Sequence, residues 1–355
     1  MKILITGICG FVGQVLATAL REQMSGVEIF GVDNLIRRGS EQSRAALVRQ
    51  GIRFFHADIR SASDLEMLPP ADWVIDAAAH ASVLAGVDGQ VGSRQLVEHN
   101  LGGTINLLEY CKRHRAGFIL LSTSRVYSIA PLAALSMEIV QGAFRPQDAQ
   151  DWPAGCSPLG VAENFSSQPP LSLYGSTKLA SEILAREYGD AFGFPVWINR
   201  CGVLAGAGQF GRADQGIFSF WVHSCAQRRP LKYIGFDGMG HQVRDALHPR
   251  DLLPVLVKQL AEQPRVGEAP LNFGGGTANS MSLRQLTNWC AGRFGSREIA
   301  TEPKPRPFDI PWMIMDSRAA EQRWNWRPRT TLPQILEEIA QHAEQHPDWL
   351  ELTNG

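Results

Sequence analysis

The sequence predicts an α/β protein with a doubly wound parallel sheet, and three observations support that prediction. Short apolar runs alternate with longer amphipathic segments over the first half of the 355-residue chain. The apolar runs are continuous, which is typical of strands that helices cover on both faces. A glycine-rich turn lies directly after the first run. Right-handed crossovers between such strands favour a Rossmann-type sheet.

Six strands and three long helices follow from the apolar spacing of this part of the chain. The predicted strands cover residues 2–6, 27–32, 52–57, 73–78, 118–121 and 196–200. The predicted helices cover residues 12–24, 96–114 and 174–192, with apolar residues three or four positions apart. Residues 128–170 show no steady period, so we expect a long, irregular connection with a functional role.

The last third of the chain predicts a second, smaller unit. Helices are expected near residues 216–228, 249–262, 283–294 and 332–346, with a strand near 231–234. We expect a carboxyl-terminal cap over the sheet edge where ligands bind. The predicted division assigns residues 1–204 and 242–275 to the Rossmann-type domain, and residues 205–241 and 276–355 to the cap.

Composition and charge exclude several classes of protein. The chain has 34 Lys and Arg residues against 35 Asp and Glu, a formal net charge of -1, so no nucleic-acid partner is expected. No run of about 18 apolar residues occurs, and no membrane partner is expected. His342 and His346 lack the glutamate order and the third ligand of a zinc helix, so no metal is predicted. Six scattered cysteines and a start without a cleavable leader predict a cytoplasmic protein.

The segment from Gly7 to Gly13 has the spacing G-x-x-G-x-x-G between a predicted strand and a predicted helix. Gly7 allows the tight turn, Gly10 lets backbone N–H groups approach a pyrophosphate, and Gly13 lets the helix pack on the strand. Asp33 closes the second predicted strand. A carboxylate there accepts hydrogen bonds from adenosine ribose hydroxyls and repels a 2′-phosphate. We therefore predict bound NAD.

Residues after the other strands complete the predicted dinucleotide site. Arg37 and Arg38 follow the second strand and would suit a 2′-phosphate, which leaves NADP as the alternative. Asp58 follows the third strand and is placed to reach the adenine. The segment Ala77-Ala78-Ala79 follows the fourth strand and is small enough for the cofactor to lie against the backbone. For Asp58 and the three alanines, ordinary turn residues are an equal alternative.

Tyr174 and Lys178 open a predicted helix four residues apart. Residues with this spacing share a helix face, so the phenol and the ammonium lie side by side. A nearby cation favours the phenolate, lowers the tyrosine pKa and allows a general base near neutral pH. The fifth strand ends in Ser122 and Thr123, which brings a hydroxyl to the same sheet edge. The set predicts proton transfer to and from a substrate oxygen, with a chance pair on a surface helix as the alternative.

Together these motifs resemble the extended short-chain dehydrogenase/reductase family, in its nucleotide-sugar-modifying branch. The resemblance covers nearly the whole chain. Besides the glycine loop it is carried by segments 33–35, 100–109, 174–178, 244–252, 272–276 and 326–328.

The resemblance implies a catalytic set of Thr123, Tyr174 and Lys178. It implies NAD as the cofactor, held by Gly7, Gly10, Phe11, Val12, Gly13, Asp33, Asn34, Asp58, Ile59, Ala77, Ala78, Ala79, Asn100, Ser122, Tyr174, Lys178 and Arg200. It implies a nucleoside-diphosphate sugar as the substrate, bound by Thr123, Arg125, Gln215 and Arg244. Arg244 is expected to hold the diphosphate. A homodimer through the helices 96–114 and 174–192 is also expected by resemblance.

Within this family, the residues after Thr123 favour epimerisation. By resemblance, dehydratases have Asp-Glu after the catalytic threonine and decarboxylating members have a glutamate at the second position, whereas this chain has Ser124 and Arg125. Segments 33–39, 122–127, 214–216 and 242–248 resemble the 2-epimerases of CDP-linked sugars, although Ser128, Cys201 and Ala205 depart from that subgroup. The alternatives are a UDP-sugar 4-epimerase, a nucleotide-sugar reductase or dehydrogenase with net NAD(P)H turnover, and a non-catalytic dinucleotide sensor.

Overall fold

The computed structural model describes residues 1–87, 89, 91–262, 264 and 268–354. Its strands, numbered in chain order, are β1 (Lys2–Thr6), β2 (Glu28–Asp33), β3 (Arg53–His56), β4 (Trp73–Asp76), β5 (Gly117–Thr123), β6 (Met137–Val140), β7 (Ala143–Pro146), β8 (Cys156–Ser157), β9 (Gly160–Val161), β10 (Val196–Cys201), β11 (Val203–Leu204), β12 (Lys232–Ile234), β13 (Val243–Leu247), β14 (Leu271–Phe273), β15 (Ser280–Ser282), β16 (Ala300–Glu302) and β17 (Trp312–Met313). Its α-helices are α1 (Phe11–Gln23), α2 (Ser40–Arg49), α3 (Ala62–Glu66), α4 (Ser93–Val97), α5 (Gly103–His114), α6 (Ile129–Ala133), α7 (Leu173–Phe192), α8 (Ile217–Ala226), α9 (Leu253–Ala261), α10 (Leu283–Phe294), α11 (Arg318–Trp324), α12 (Leu332–Gln345) and α13 (Trp349–Asn354). Short 3₁₀ turns cover Ser124–Val126, Phe236–Gly238, Pro249–Leu252 and Thr277–Asn279, and a π-helical turn covers Glu98–Gly102.

Seven strands form the central sheet, in the order β14-β10-β5-β4-β1-β2-β3. From β5 to β3 the neighbouring strands pair in parallel. Ile3 of β1 lies beside Ile29 of β2 on one side and Trp73 of β4 on the other. Most residues of these inner strands are buried, because helices flank the sheet. The predicted doubly wound α/β class is therefore confirmed.

The strand order reverses between β1 and β4, and this determines where a ligand can bind. β2 lies on one side of β1 and β4 on the other, so the chain leaves the two strands in opposite directions. A crevice opens at the carboxyl ends of strands where the direction reverses in this way. Gly7 and Ala77 are the first residues after β1 and β4. The topology thus places the glycine loop and the loop after β4 at one crevice.

The helix predicted over residues 96–114 begins earlier and is interrupted. α4 begins at Ser93, and the π-helical turn separates it from α5. The buried Asn100 lies in that turn, and its carbonyl oxygen accepts the hydroxyl of Thr104 at 2.7 Å. A π turn shifts a side chain out of the regular helical register and is frequent at functional sites. Here it aims the amide of Asn100 at α7.

Two compact units divide the chain. Unit 1 comprises Met1–Val126, Leu173–Arg200 and Pro249–Leu271, and unit 2 comprises Tyr127–Ser172, Cys201–His248 and Asn272–Gly355. Residues 127–172 and 242–248 lie in unit 2, whereas the sequence assigned them to the Rossmann-type domain. Backbone pairing within unit 2 is the reason: the Val161 N–H donates to Ile314 at 2.8 Å and the Phe144 N–H donates to His241 at 2.9 Å. Unit 2 is accordingly longer than the predicted cap.

Unit 2 has a small sheet of its own, in which β13 pairs with β11, β15 and β17. The helices α10 and α12 pack on α8. Trp221, Leu286 and Ile335 are buried in the core that these helices share. The core of unit 1 is separate and includes Leu4 and Phe118 of the central sheet.

Residues 128–170 contain more regular structure than the sequence indicates. α6 and two hairpins, β6–β7 and β8–β9, lie in this segment. Such short strands contain too few residues to show an alternating pattern. The sequence also does not predict α2, because this helix is polar and buries only Ser40, Ser43 and Leu47. Most of the other predicted elements agree with the structure within two residues at each end.

Candidate active site

The glycine loop joins β1 to α1 in a geometry that requires glycine. Gly7 has a φ of +60°, and a Cβ there would lie 2.9 Å from the Cα of Ala78. A Cβ on Gly13 would overlap the carbonyl oxygen of Gly7, so only glycine lets the helix approach the loop. Gly10 caps α1 without a side-chain hydrogen bond, and Phe11 and Val12 are its first two helical residues. The first N–H groups of the helix can therefore bind a pyrophosphate.

Asp33 ends β2 beside this loop. One carboxylate oxygen accepts the N–H of Cys9 at 3.0 Å, and the other accepts the N–H of Leu35 at 2.8 Å. Burial raises the pKa of the Asp33 carboxyl, and these N–H groups oppose the rise. Burial and the nearby Asp33 raise the pKa of the Cys9 thiol to about 12, so Cys9 is unreactive at neutral pH. The carboxylate is thus fixed beside the glycine loop, and its contact with the adenosine ribose stays a prediction.

Asp58 follows β3 and is joined to Asn34. Its carboxylate accepts the Asn34 amide at 3.0 Å and pairs with Arg60 at 2.6 Å. Burial favours a higher pKa for the Asp58 carboxyl, but the hydrogen bonds from Arg60 and Asn34 outweigh it and hold the pKa below its usual value. Ile59 is buried against the Gly103 backbone of α5. The ends of β2 and β3 are therefore tied together.

The end of β4 is tied to β1 by buried hydrogen bonds. Thr6 donates its hydroxyl to Asp76 at 2.6 Å and accepts the N–H of Ala78 at 3.1 Å. Ala77 is half-buried and Ala79 is exposed. Small side chains therefore follow β1 and β4, where the strand order predicts a crevice. The glycine loop, the Asp33 carboxylate and this crevice fit a dinucleotide.

Tyr174 and Lys178 lie near the start of α7, and their side chains are buried, with 7% and 2% exposed. Thr177 donates its hydroxyl to the Tyr174 carbonyl at 2.8 Å and accepts the Asn100 amide at 3.1 Å. Asn100 also accepts the N–H of His80 at 2.8 Å and donates to the carbonyl of His80 at 3.2 Å. Asn100 therefore joins the π turn and the loop after β4 to the helix of Tyr174, and its contact with NAD stays a prediction.

Thr123 ends β5, and α7 packs against this strand and against Ser124–Val126. The Thr123 hydroxyl oxygen accepts the N–H of Arg125 at 3.2 Å. A hydroxyl can accept and donate at once, so this hydrogen bond does not use the Thr123 proton. The structure therefore brings into contact the elements that carry Thr123, Tyr174 and Lys178. The substrate contact predicted for Arg125 stays a prediction.

Ser122 and Arg200 both donate hydrogen bonds to the buried carboxylate of Glu182, a residue outside the predicted site. Ser122 donates its hydroxyl to Glu182 of α7, and Arg200 of β10 donates Nη2 to the same carboxylate at 2.7 Å. The contacts that the sequence predicts between these two residues and NAD stay predictions. Glu182 follows Lys178 by four residues, so helical spacing was the signal that could have revealed it.

Gln215 and Arg244, the predicted substrate residues of unit 2, lie in a tight turn and in β13. The Arg212 N–H donates to Gln215 at 2.7 Å, which closes the turn. Arg244 donates Nη2 to Asp309 at 2.8 Å and Nη1 to the Val243 carbonyl at 2.7 Å. Burial lowers the pKa of the Arg244 guanidinium and Asp309 opposes the change, so the group keeps its charge at neutral pH. Asp309 is a partner that the sequence analysis does not identify.

In the described part of the chain, no group of three or more His, Cys, Asp or Glu side chains could hold a metal ion. None of its helices combines the length and the apolar character needed to cross a bilayer. All six cysteines are buried, and none forms a disulfide.

Comparison with known proteins assigns the chain to a family. Residues 3–273 match the NAD dependent epimerase/dehydratase family. The chain therefore belongs to this family and is an NAD-dependent enzyme of the epimerase class. The resemblance to the epimerase branch of the extended short-chain dehydrogenase/reductase family, predicted from the sequence, is confirmed.

Individual relatives are similar over almost their whole length. The chain is 29% identical to CDP-paratose 2-epimerase of Salmonella typhi, over 93% of this chain and 96% of the relative. It is 25% identical to UDP-glucuronate 4-epimerase of Thermodesulfobacterium geofontis, over 97% and 96%. The crystal structure of UDP-glucuronic acid 4-epimerase from Bacillus cereus, in complex with UDP-glucuronic acid and NAD, superposes with a TM-score of 0.77 at 25% identity, over 97% of this chain and 99% of that one.

Proposed function

We propose that this enzyme epimerises a nucleoside-diphosphate sugar by oxidising one sugar carbinol and reducing it again from the opposite face. The observation that carries the proposal is the buried pair of Tyr174 and Lys178 on a helix that packs against the strand ending in Thr123. The residues after Thr123 are Ser124 and Arg125, so the carboxylates expected for elimination are missing at those positions. When bound, NAD supplies the hydride acceptor for the first step and the hydride donor for the second.

Tyr174 serves first as the base and then as the acid. Its phenolate oxygen takes the proton of the sugar hydroxyl and returns it after the carbon has been reduced. Lys178 favours the phenolate through its positive charge. The Thr123 hydroxyl donates a hydrogen bond to the substrate oxygen and stabilises the negative charge that develops there. Arg244 binds the diphosphate through its planar guanidinium.

The substrate that we favour is a CDP-linked sugar inverted at C2. The relative from Salmonella typhi supports it, and so do the segments 122–127 and 242–248 of this chain. The competing assignment is a UDP-linked sugar inverted at C4. The two UDP-glucuronate 4-epimerases support that assignment, at slightly lower identity and similar coverage.

Incubation with CDP-, UDP-, GDP- and dTDP-sugars in deuterated water, followed by NMR, tests the proposal. We expect inversion of one carbon without added reductant and without solvent deuterium on that carbon, because the hydride returns within the active site. The inverted position distinguishes C2 from C4. Accumulation of NADH or consumption of NADPH would show a net oxidoreductase instead. A protein that neither carries nor binds NAD would overturn the proposal.

The assembly that we propose is a homodimer, formed through α4, α5 and α7. Val97, Leu173, Ile183 and Phe192 are exposed apolar residues on these helices, and a second copy would cover them. A cytoplasmic location is also part of the proposal, and six buried cysteines without a disulfide support a reducing compartment. Light scattering of the wild type and of Ile183→Glu tests the dimer, since the added charge should yield monomers.

A further inference from the structure

Three buried side chains connect α7 to the two strands beside it. Glu182 projects from α7, Ser122 from β5 and Arg200 from β10. Arg200 donates Nε to both carboxylate oxygens at 3.1 Å and Nη2 to one of them at 2.7 Å. Ser122 donates its hydroxyl to the other. The side chains of Arg200 and Glu182 are only 8% and 3% exposed.

Stability alone does not explain this network. Burial of two charges costs free energy that their mutual attraction repays only when the geometry is good and the other hydrogen-bonding positions are filled. Apolar residues of similar volume often serve as well or better in such a place. A buried ion pair at a candidate active site therefore calls for a role beyond packing.

The position of the network along α7 indicates that role. Tyr174, Lys178 and Glu182 follow each other at intervals of four residues, so they lie along one face of the helix. The helical rise places Glu182 about 6 Å beyond Lys178 and about 12 Å beyond Tyr174. On the strand side, Ser122 directly precedes Thr123. The network therefore fastens the helical turn next to Lys178 to the strand residue next to Thr123.

We propose that Glu182 is a positioning residue, which holds Lys178 and Thr123 in register through Ser122 while Arg200 balances its charge. The charged group that contacts Glu182 is Arg200 from β10, and the spacing of four residues places Lys178 and Arg186 one helical turn before and after it on α7. Because Arg200 neutralises the carboxylate, Glu182 does not compete with the Tyr174 phenolate for the charge of Lys178. The inference rests on the proposed role of Tyr174 but not on the identity of the sugar.

Two variants that remove charges of opposite sign test the proposal on the NAD-bound enzyme. Glu182→Gln leaves the Arg200 cation unbalanced, and Arg200→Gln leaves the Glu182 anion unbalanced. Ionisation of Tyr174 is followed by ultraviolet difference absorbance of tyrosinate, with Tyr174→Phe as the blank. We expect the midpoint to fall in Glu182→Gln and to rise in Arg200→Gln, each by up to roughly one pH unit for a charge at this distance. A general loss of stability cannot produce shifts of opposite sign.

Glu28→Gln is the matched control. Glu28 begins β2, outside the proposed dimer helices, and its side chain is 43% exposed and pairs with Lys2 at 3.8 Å and Arg53 at 3.6 Å. The change of charge is the same, but solvent screens it, so the midpoint of the Tyr174 titration should stay at the wild-type value.

Ser122→Ala separates the effect of the network on the position of Thr123 from its electrostatic effect on Tyr174. This variant keeps the ion pair, so we expect an unchanged midpoint and a kcat lowered about ten-fold by misplacement of Thr123. Equal midpoints in the wild type, Glu182→Gln and Arg200→Gln would overturn the proposal. If one charge variant does not fold, the other variant and Ser122→Ala decide it, and wild-type behaviour of both would overturn it. The titration needs no substrate, so its failure is distinguishable from a failure of the proposed reaction.

Discussion

The two units each contain an arginine paired with a carboxylate, and the two pairs differ in burial and in their other hydrogen-bond partners. In unit 1, Arg200 and Glu182 are 8% and 3% exposed, Arg200 donates three hydrogen bonds to Glu182, and Ser122 donates a fourth. In unit 2, Arg244 and Asp309 are 13% and 17% exposed, and one guanidinium nitrogen turns to a backbone carbonyl. Neighbouring residues bury the Arg200–Glu182 pair almost completely, whereas the Arg244–Asp309 pair keeps some exposed surface.

This difference suggests separate tasks for the two pairs. A closed pair keeps its partners in place, which suits the positioning of catalytic groups. A more open pair can exchange its carboxylate for the phosphate oxygens of a substrate without the loss of a charged partner. We therefore expect changes in unit 1 to alter the chemical step or the cofactor, and changes in unit 2 to alter substrate binding.

The largest effect is expected for Tyr174→Phe in unit 1. Loss of the phenol oxygen removes the base, so kcat should fall about a hundred- to ten-thousand-fold, while the amount of bound NAD stays the same. Steady-state kinetics and cofactor release by denaturation measure the two quantities. Turnover at the wild-type rate would remove Tyr174 from this role.

Arg244→Ala in unit 2 should raise the KM for the substrate and leave kcat nearly unchanged, the opposite of the effect of Tyr174→Phe. Loss of charge-assisted hydrogen bonds of about 1.5–3 kcal/mol raises the KM for the nucleotide sugar roughly 10- to 100-fold and leaves kcat much less affected. Asp309→Asn is the control, because it keeps the arginine and removes only its competing anion. An unaltered KM in Arg244→Ala would contradict the assignment of the diphosphate to unit 2.

Asp33→Ala should have a smaller effect, confined to the cofactor. Without the carboxylate, the affinity for NAD falls about ten-fold and discrimination against NADP weakens, because the repulsion of the 2′-phosphate is lost. Binding titrations with both dinucleotides measure this. Glu28→Gln, at the other end of the same strand, serves as the control, and unchanged selectivity in Asp33→Ala would argue against the ribose contact.

The smallest effect concerns acid stability, which we expect to originate in unit 2. Burial lowers the pKa of His223 from 6.5 to about 3 and that of His342 to about 4, and the neighbouring histidines add to the effect. The unfolded chain therefore binds protons below pH 6.5 that the folded protein does not, so stability falls as the pH drops from about 6.5 toward 4.

Burial acts in the opposite direction on Asp245. It raises the pKa of the Asp245 carboxyl to about 6, so this residue favours the folded state as the pH falls from about 6 to 4. Asp245 is common to the wild type and to His342→Gln, so a comparison of the two isolates the histidine. Thermal melts at pH 7 and pH 5 should show a smaller acid-induced loss in His342→Gln. Equal losses would contradict the assignment.

The two units also differ in how far the sequence predicts them. In unit 1 the strands are continuous apolar runs, and Gly7, Asp33 and Tyr174 stand at strand ends or at a helix start, so local spacing identifies them. In unit 2, β13 and the strands that pair with it are two to five residues long. Their pairing depends on partners far apart in the chain, and the hairpins of residues 128–170 show no period. The partner Asp309 lies 65 residues from Arg244.

The sequence by itself determined the fold class, the glycine loop and the order of the proposed catalytic residues, because each depends on spacing within a few helical turns or strand lengths. The family match and the relatives together then established the epimerase class. Only the tertiary structure placed Ser122 and Arg200 on Glu182, aimed Asn100 at Thr177 and paired Arg244 with Asp309. The physical reason is that a buried charge or amide takes whichever partner the packing of distant segments provides.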